Sequence, residues 1–208
     1  MCLSLVLQAQ KSIYTMPFEN NIRLPAMKSA VNMEEITATY QTMGNIYTTE
    51  IIGFGEESME QTSTTHISDV KVVDAIRFLE YYMEDQLLDP SSGSQGQLEM
   101  SVIYFNEDTR WNIGSVVGVL TFGIATLMGV PYATAVADVE LKAVFYSPGQ
   151  ESCASQRGTG RGKCLQTLYS SSGFRKAHQR ALKKAIQDLN DHILLDPLFT
   201  GIAQEATL

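Results

Sequence analysis

Charge is absent from the middle of this sequence. From Asn112 to Ala137 the chain reads NIGSVVGVLTFGIATLMGVPYATAVA, with no charged side chain. Ion pairs therefore cannot hold this stretch, and its place must be set by apolar contacts. Basic residues are also scarce: 15 Lys and Arg stand against 23 Asp and Glu, a net charge of −8. That balance excludes general nucleic-acid binding, which needs a positive surface for phosphates. Three cysteines and three histidines leave little material for metal or thiol chemistry. His66, His178 and His192 are scattered. A Cys–His pair from Cys153 or Cys164 to His178 has nothing local to activate the thiol, and Glu56, Glu57 and Glu60 sit in a polar loop. No catalytic, cofactor-binding or metal-binding residue is assigned, and no cofactor is implied.

The neutral stretch has three readings. As one helix, Ile113 to Val130 would run about 27 Å at ~1.5 Å per residue, short of the ~30 Å hydrocarbon layer. Asn112 would cap it and Pro131 would end it. Gly114, Gly118, Thr121, Ala125 and Gly129 would form a small-residue stripe suited to close helix packing. As a β-hairpin bent at Gly123, it would put Val116, Leu120, Phe122, Ile124 and Met128 on one face, as a membrane or oligomer contact. The favoured expectation is the third: a buried connection inside the core. A spanning helix would separate two flanking segments, Leu98 to Phe105 and Val139 to Tyr146, that look like strands of one sheet.

At 208 residues the chain is long enough for one domain with a sizeable core. We expect residues 11–197 to form it, after a signal-peptide remnant at residues 1–10 and before a tail at residues 198–208. MCLSLVLQAQ carries a short apolar run followed by small or polar residues, as at the end of an export signal, although the basic n-region is missing.

Charge is also uneven. Between Ser152 and Gln187 there are eight Lys or Arg and no Asp or Glu. Arg175, Lys176, Arg180, Lys183 and Lys184 make the first half of a helix basic, against its macrodipole. This face is a candidate contact for an anionic ligand or lipid. The plainer expectation is a solvated face that complements the acidic remainder. Gly158-Thr159-Gly160-Arg161-Gly162-Lys163 resembles a phosphate loop but fails on spacing, and Cys164 stands where Ser or Thr belongs. Read instead as a hairpin turn, Gly158-Thr159-Gly160 would set Cys153 opposite Cys164 at disulfide distance. Two free thiols are the alternative.

Coarse periodicity predicts strands at Ser12 to Met16, Ile22 to Leu24, Glu35 to Gln41 and Asn45 to Ile52, the last two joined by a turn at Met43-Gly44. A helix follows from Asp69 to Leu88, buried through Val72, Ile76, Leu79, Met83 and Leu87, with Lys71 and Asp74 as an exposed pair. Leu98 to Phe105 is a strand with Leu98, Met100, Val102 and Tyr104 on one face, and Asn106 to Arg110 is a charged turn. Ala135 to Tyr146 alternates cleanly, with Ala137, Val139, Leu141, Ala143 and Phe145 inward. Ser147 to Gln150 turns it into returning strands at Glu151 to Arg157 and Lys163 to Tyr169. The last helix, Phe174 to Leu194, buries Ala177, Ala181, Leu182, Ala185, Ile186, Leu189 and Ile193. The expected class is α+β: a mainly antiparallel sheet with two amphipathic helices on one face.

From Val116 through Pro131, the strand after it and the Ala-rich closing helix, the chain resembles small bacterial envelope lipoproteins. It also has a likeness to the α/β folds of TolB N-terminal and curli-secretion (CsgG-type) lipoproteins. The resemblance rests on pattern and implies a periplasmic or outer-membrane-associated binding or assembly component, some relatives of which insert hairpins into membranes. The function so implied is a non-catalytic envelope protein whose partner is another envelope protein, a lipid or a second copy of itself. The alternatives are a hydrolase with a Cys, His and acid site, or an anion- or lipid-binding module using the basic helix.

Overall fold

A computed structural model describes residues 23–24, 27–43, 69–88, 96–121, 123–146, 154–169 and 172–197. The class is α+β, with several helices and a four-stranded mixed sheet in the order β1-β2-β3-β4. Strand β1 (Lys28–Val31) runs parallel to β2 (Gln97–Trp111). Strand β2 pairs antiparallel with β3 (Ala133–Tyr146), and β3 with β4 (Ala154–Gln166). The crossover from β1 to β2 carries helix α1 (Met33–Met43) and helix α2 (Asp69–Tyr81), which continues into a π-helical turn, Tyr82–Leu87. The ribbon of β2 and β3 is bridged by two short helices, α3 (Ile113–Leu120) and α4 (Ile124–Leu127). Helix α5 (Gly173–Leu195) closes the described chain.

Alternation dictates how the sheet buries itself. Leu98, Met100 and Val102 of β2 and the odd-numbered residues of β3 from Ala133 to Phe145 turn to the helices and are buried. The expected inward face of Ala137 to Phe145 is as observed. Tyr104, expected beside Val102, is exposed instead. The register slips between Val102 and Tyr104, so Ile103 is an extra residue and the face reverses. Phe105 and Glu107 then point inward. The expected charged turn at Asn106 to Arg110 is therefore a continuation of β2, paired with β3 out to Trp111 and Ala133.

Glu35 to Gln41 is helix, not strand. Its Ile36, Ala38, Tyr40 alternation is ambiguous over so few residues, because Ile36 and Tyr40 are also one helical turn apart. Both are fully buried while Ala38 is exposed, as only the helical period allows. The Asn32 side chain caps the start by accepting from the Glu35 amide at 3.0 Å. Glu34 and Glu35 in the first turn suit the macrodipole. Thr37 and Thr42 donate back to Met33 and Ala38 carbonyls. Lys71 and Asp74 do not pair with each other. Lys71 holds Glu107 at 2.5 Å, and Arg175 forks onto the buried Asp74 at 2.6 and 2.8 Å.

Strand β4 corrects the glycine-turn expectation. Gly158, Gly160 and Gly162 lie inside one continuous strand, all on the face under α5. A Cβ on Gly160 would stand 2.1 Å from the Ala181 carbonyl oxygen, and one on Gly162 would stand 1.8 Å from that of Ala177. Small residues on both elements let the helix lie directly on the strand's backbone. The hairpin that would bring Cys153 across from Cys164 is absent. Cys164 is a free, half-buried thiol, and Cys153 lies outside the described residues. So do the expected strands near residues 12–16 and 45–52, the turn at 147–150, residues 1–10 and the tail from 198.

The α5 face expected from Ala177 to Ile193 is buried throughout. Its other residues cover the open edge of β4. His192 Nδ1 meets the Arg157 carbonyl at 2.6 Å, Asp188 accepts from the Thr159 amide at 2.7 Å, and Arg180 donates to the Lys163 carbonyl at 2.5 Å. An edge so occupied is a poor template for a further strand. Gly160→Ala should lower the unfolding free energy of the full chain by about 2–3 kcal/mol, read from urea denaturation. The clash is with backbone, so no side-chain rotation relieves it.

Candidate functional site: an apolar cap beside a basic flank

The connection between β2 and β3 leaves and re-enters the sheet at the same end, at Trp111 and Ala133. It therefore stands off that end. Asn112 caps α3 in a reciprocal capping box with Ser115. Helix α3 stops at Thr121, whose hydroxyl donates to the Val117 carbonyl at 2.8 Å. Gly123, with φ of 85°, turns the chain into α4, and Gly129, with φ of 89°, turns it back. Two glycines of the small-residue stripe, Gly114 and Gly118, are spent inside this cap, while Gly129 faces open space. A Cβ on Gly114 would lie 1.8 Å from the Pro131 carbonyl oxygen, and one on Gly118 would lie 2.6 Å from the Thr126 hydroxyl.

The cap is not core, contrary to the favoured expectation. Ile113 is 83 % exposed, Leu120 73 % and Met128 80 %, and Val116 and Ile124 also face solvent. Helix α3 buries only Ser115 and Gly118. The physical reason is topological. The neighbouring strands pair with each other up to their ends, so no element among the described residues lies over the connection. Of the five contact residues expected from sequence, Val116, Leu120, Ile124 and Met128 share this surface, and Phe122 lies outside the described residues. A single helix over residues 113–130 is also overturned, because the turn at Gly123 breaks it. Among the described residues no helix is long and apolar enough to cross a membrane.

Aromatic and aliphatic residues ring the cap's base: Trp111 (82 % exposed), Tyr132, Leu165, Leu168 and Tyr169. A groove of about 450 Å³ opens there between Trp111, Val119, Tyr132 and Leu168. Polar groups of the cap bond within it. Ser115 Oγ donates to the Tyr132 carbonyl, Tyr169 Oη donates to that of Leu127 at 2.5 Å, and the Ala125 amide donates to Thr121 Oγ1 at 3.2 Å.

The basic flank lies behind this end of the sheet. Lys163 of β4 pairs with Val136, three residues from the Gln166–Ala133 pair that borders the cap. With Arg161, Arg180, Lys183, Lys184 and Gln187 it lines a groove of about 640 Å³. The structure divides the five basic residues expected to meet an anion. Arg175 is committed to Asp74; Lys176, Arg180 and Lys184 are exposed. Arg161 and Lys163 join from β4. They were visible in the sequence as part of the acid-free run, but a helix-only reading left them out.

No protein-family model matches this chain, and none of the curated proteins compared with it matches either.

Beneath the helices sits a buried polar cluster. His178 is completely buried, 2.5 Å through Nε2 from the Tyr40 hydroxyl, with its ring edge-on to Tyr40 and Phe105. Burial, helped by the Lys71 charge, pulls its pKa down to about 3. Burial likewise raises Tyr40, with Glu107 and Asp74 adding to the effect. At neutral pH both groups are uncharged, and the bond to Tyr40 occupies His178 Nε2, which leaves that nitrogen no part in activating Cys164. Burial raises the Glu107 carboxyl despite the opposing pull of Lys71. Glu107 Oε1 and His178 Nδ1 have no hydrogen-bond partner. Among the described residues no group of three His, Cys, Asp or Glu is placed to hold a metal ion.

Acid should find this cluster. In the unfolded chain His178 takes a proton near pH 6.5, in the folded chain only near 3. Between those values a proton binds the unfolded state alone, so stability falls as pH falls. The cost is roughly 1.4 kcal/mol per pH unit below 6.5. His178→Gln, whose side-chain amide can still hydrogen-bond Tyr40, should remove that share of the slope in urea titrations between pH 6.5 and 5, with stability near pH 7.5 changing far less.

Proposed function

We propose that this protein is a non-catalytic, membrane-docking component of a bacterial envelope, held at a bilayer surface by its apolar cap. The observation that carries the reading is an uncharged, solvent-facing helical pair with Ser115, Thr121 and several of its backbone groups bonded within the cap. Large exposed apolar patches on soluble proteins mark interaction surfaces. Lipid offers no hydrogen bonds, so whatever enters it must satisfy its backbone and hydroxyls internally. The cap's hydrogen bonds meet much of that demand. A protein partner makes no such demand, and its binding sites usually leave polar groups for the partner to pair.

Two further features support lipid. Trp111, Tyr132 and Tyr169 stand at the cap's base, where aromatic rings settle at a membrane–water boundary. Gly114 and Gly118, the α3 pair that would let a second copy's helix approach closely, are already packed against Pro131 and Thr126. The cap is too short to span, which suits a shallow seat in one leaflet. The envelope setting rests on the resemblance of the apolar segment and closing helix to envelope lipoproteins.

The full chain should co-sediment with phosphatidylcholine vesicles. Leu120→Asp places a charge on the most apolar face and should weaken partition by roughly 30-fold or more, from the ~2.5–3.5 kcal/mol cost of burying a carboxylate in lipid. Vesicle binding unaltered by this change would contradict the reading. So would lipid-independent self-association that the same change abolishes, since the cap would then be a subunit interface.

A further inference from the structure

Helix α1 is held to the rest of the protein by little. Of residues 33–42 only Ile36 and Tyr40 are buried. Thr37 and Thr42 bond back within the helix. Among the described residues, the one hydrogen bond from α1 to another element joins the Tyr40 hydroxyl to His178 Nε2 of α5. The capping residue Asn32 donates to Glu99 at 2.7 Å, which pins the start of the helix to the sheet. Tyr40, about two turns on, is its other fastening. An element with so few buried contacts can open ahead of the whole fold.

That fastening is one that acid attacks. His178 is completely buried, edge-on to Tyr40 and Phe105, and its Nδ1 has no hydrogen-bond partner. The charged and titratable groups around the pair come from four elements. Tyr40 lies on α1, Lys71 and Asp74 on α2, Glu107 on β2 and Arg175 on α5. Strand β3 turns only apolar residues to this side, and β4 adds only the half-buried Cys164 thiol. Lys71 and Arg175 repel an imidazolium, and Asp74, which attracts one, is forked by Arg175. Lifting α1 removes the Tyr40 ring and admits water, in which an imidazole protonates at its ordinary pKa.

We infer that the Tyr40–His178 bond is a latch, and that acid lifts α1 as a lid while the sheet and α5 stay folded. The lid uncovers the Phe105 ring, on which Tyr40 stacks at 4.4 Å, and beside it the Lys71–Glu107 pair. This device is independent of the cap's docking. A proton taken up near pH 6.5 with α1 lifted, but only near 3 with α1 closed, favours the lifted state between those values. The opening constant then rises roughly tenfold per pH unit, or about 30-fold by pH 5. Glu107 works the other way. Burial raises its proton affinity in the closed state, so that figure is an upper bound.

The test is amide hydrogen exchange of the full chain at pH 7.5 and pH 5, corrected for the intrinsic pH dependence of exchange. Residues 33–43 should lose up to about 30-fold in protection at pH 5, while β3 and α5 keep theirs. His178→Gln should remove the acid response. Tyr40→Phe keeps the ring and drops the hydroxyl, and should cost α1 about fivefold in protection at pH 7.5. An acid response that survives in His178→Gln overturns the inference. So does loss of protection in β3 and α5 in step with α1, which would make the bond a determinant of global stability alone. Exchange in α1 that is unprotected at pH 7.5, or unchanged at pH 5, overturns it as well, since nothing is then latched or released.

Discussion

Pairing of β2 with β3 out to Trp111 and Ala133 is the constraint from which the rest of the molecule follows. Because the two strands remain bonded to their last residues, the chain between them starts and finishes at one end of the sheet. It cannot return over the hydrophobic face, which α1, α2 and α5 already occupy. The most apolar segment of the sequence is thereby thrown outward. It folds on itself as a helical pair because that arrangement satisfies much of its backbone internally, with Tyr169 adding a bond to the Leu127 carbonyl.

The opposite flank obeys a second constraint, the near contact of β4 with α5. Glycine on alternate strand positions and alanine on successive helical turns bring the two backbones together. This approach places Asp188, Arg180 and His192 within reach of the strand's open edge and sets the helix's basic half beside the cap's end of the sheet. Packing and charge are thus coupled. Arg180, which bonds the edge at the Lys163 carbonyl, also lines the groove. The buried cluster of Tyr40, His178, Lys71 and Glu107 is a separate matter. It ties α1, α2, β2 and α5 together under the sheet, and its titration concerns stability.

Much of the scaffold was legible in the sequence. The α5 face from Ala177 to Ile193 repeats over more than four turns, and the β3 alternation runs unbroken, so each period has one interpretation. Leu79, Met83 and Leu87 marked α2 for the same reason. Shorter signals were not decisive. Ile36 and Tyr40 fit a strand or a helix equally, and only the Asn32 cap with its following acids favoured the helix. The bulge at Ile103 has no sequence signature, so Tyr104 was assigned to the wrong face. Gly158-Thr159-Gly160 carried two meanings, a turn or a close approach, and its alternation with Gly162 was the clue to the second. The cap failed differently. Apolar composition measures the gain from leaving water, not whether protein or lipid receives the side chains; that depended on strand pairing. Val116, Leu120, Ile124 and Met128 are exposed, although the interior was the favoured place for them.

Trp111 is the only tryptophan in the chain and stands at the cap's base, so its emission reports directly on the central claim. The measurement is tryptophan fluorescence of the full protein on titration with lipid vesicles, including vesicles carrying brominated acyl chains. The account predicts a blue shift as the exposed ring enters the membrane boundary, and quenching by bromine placed near the headgroup end of the chains. An emission maximum that stays at the position of a water-exposed indole at saturating lipid, with no bromine quenching, would contradict it.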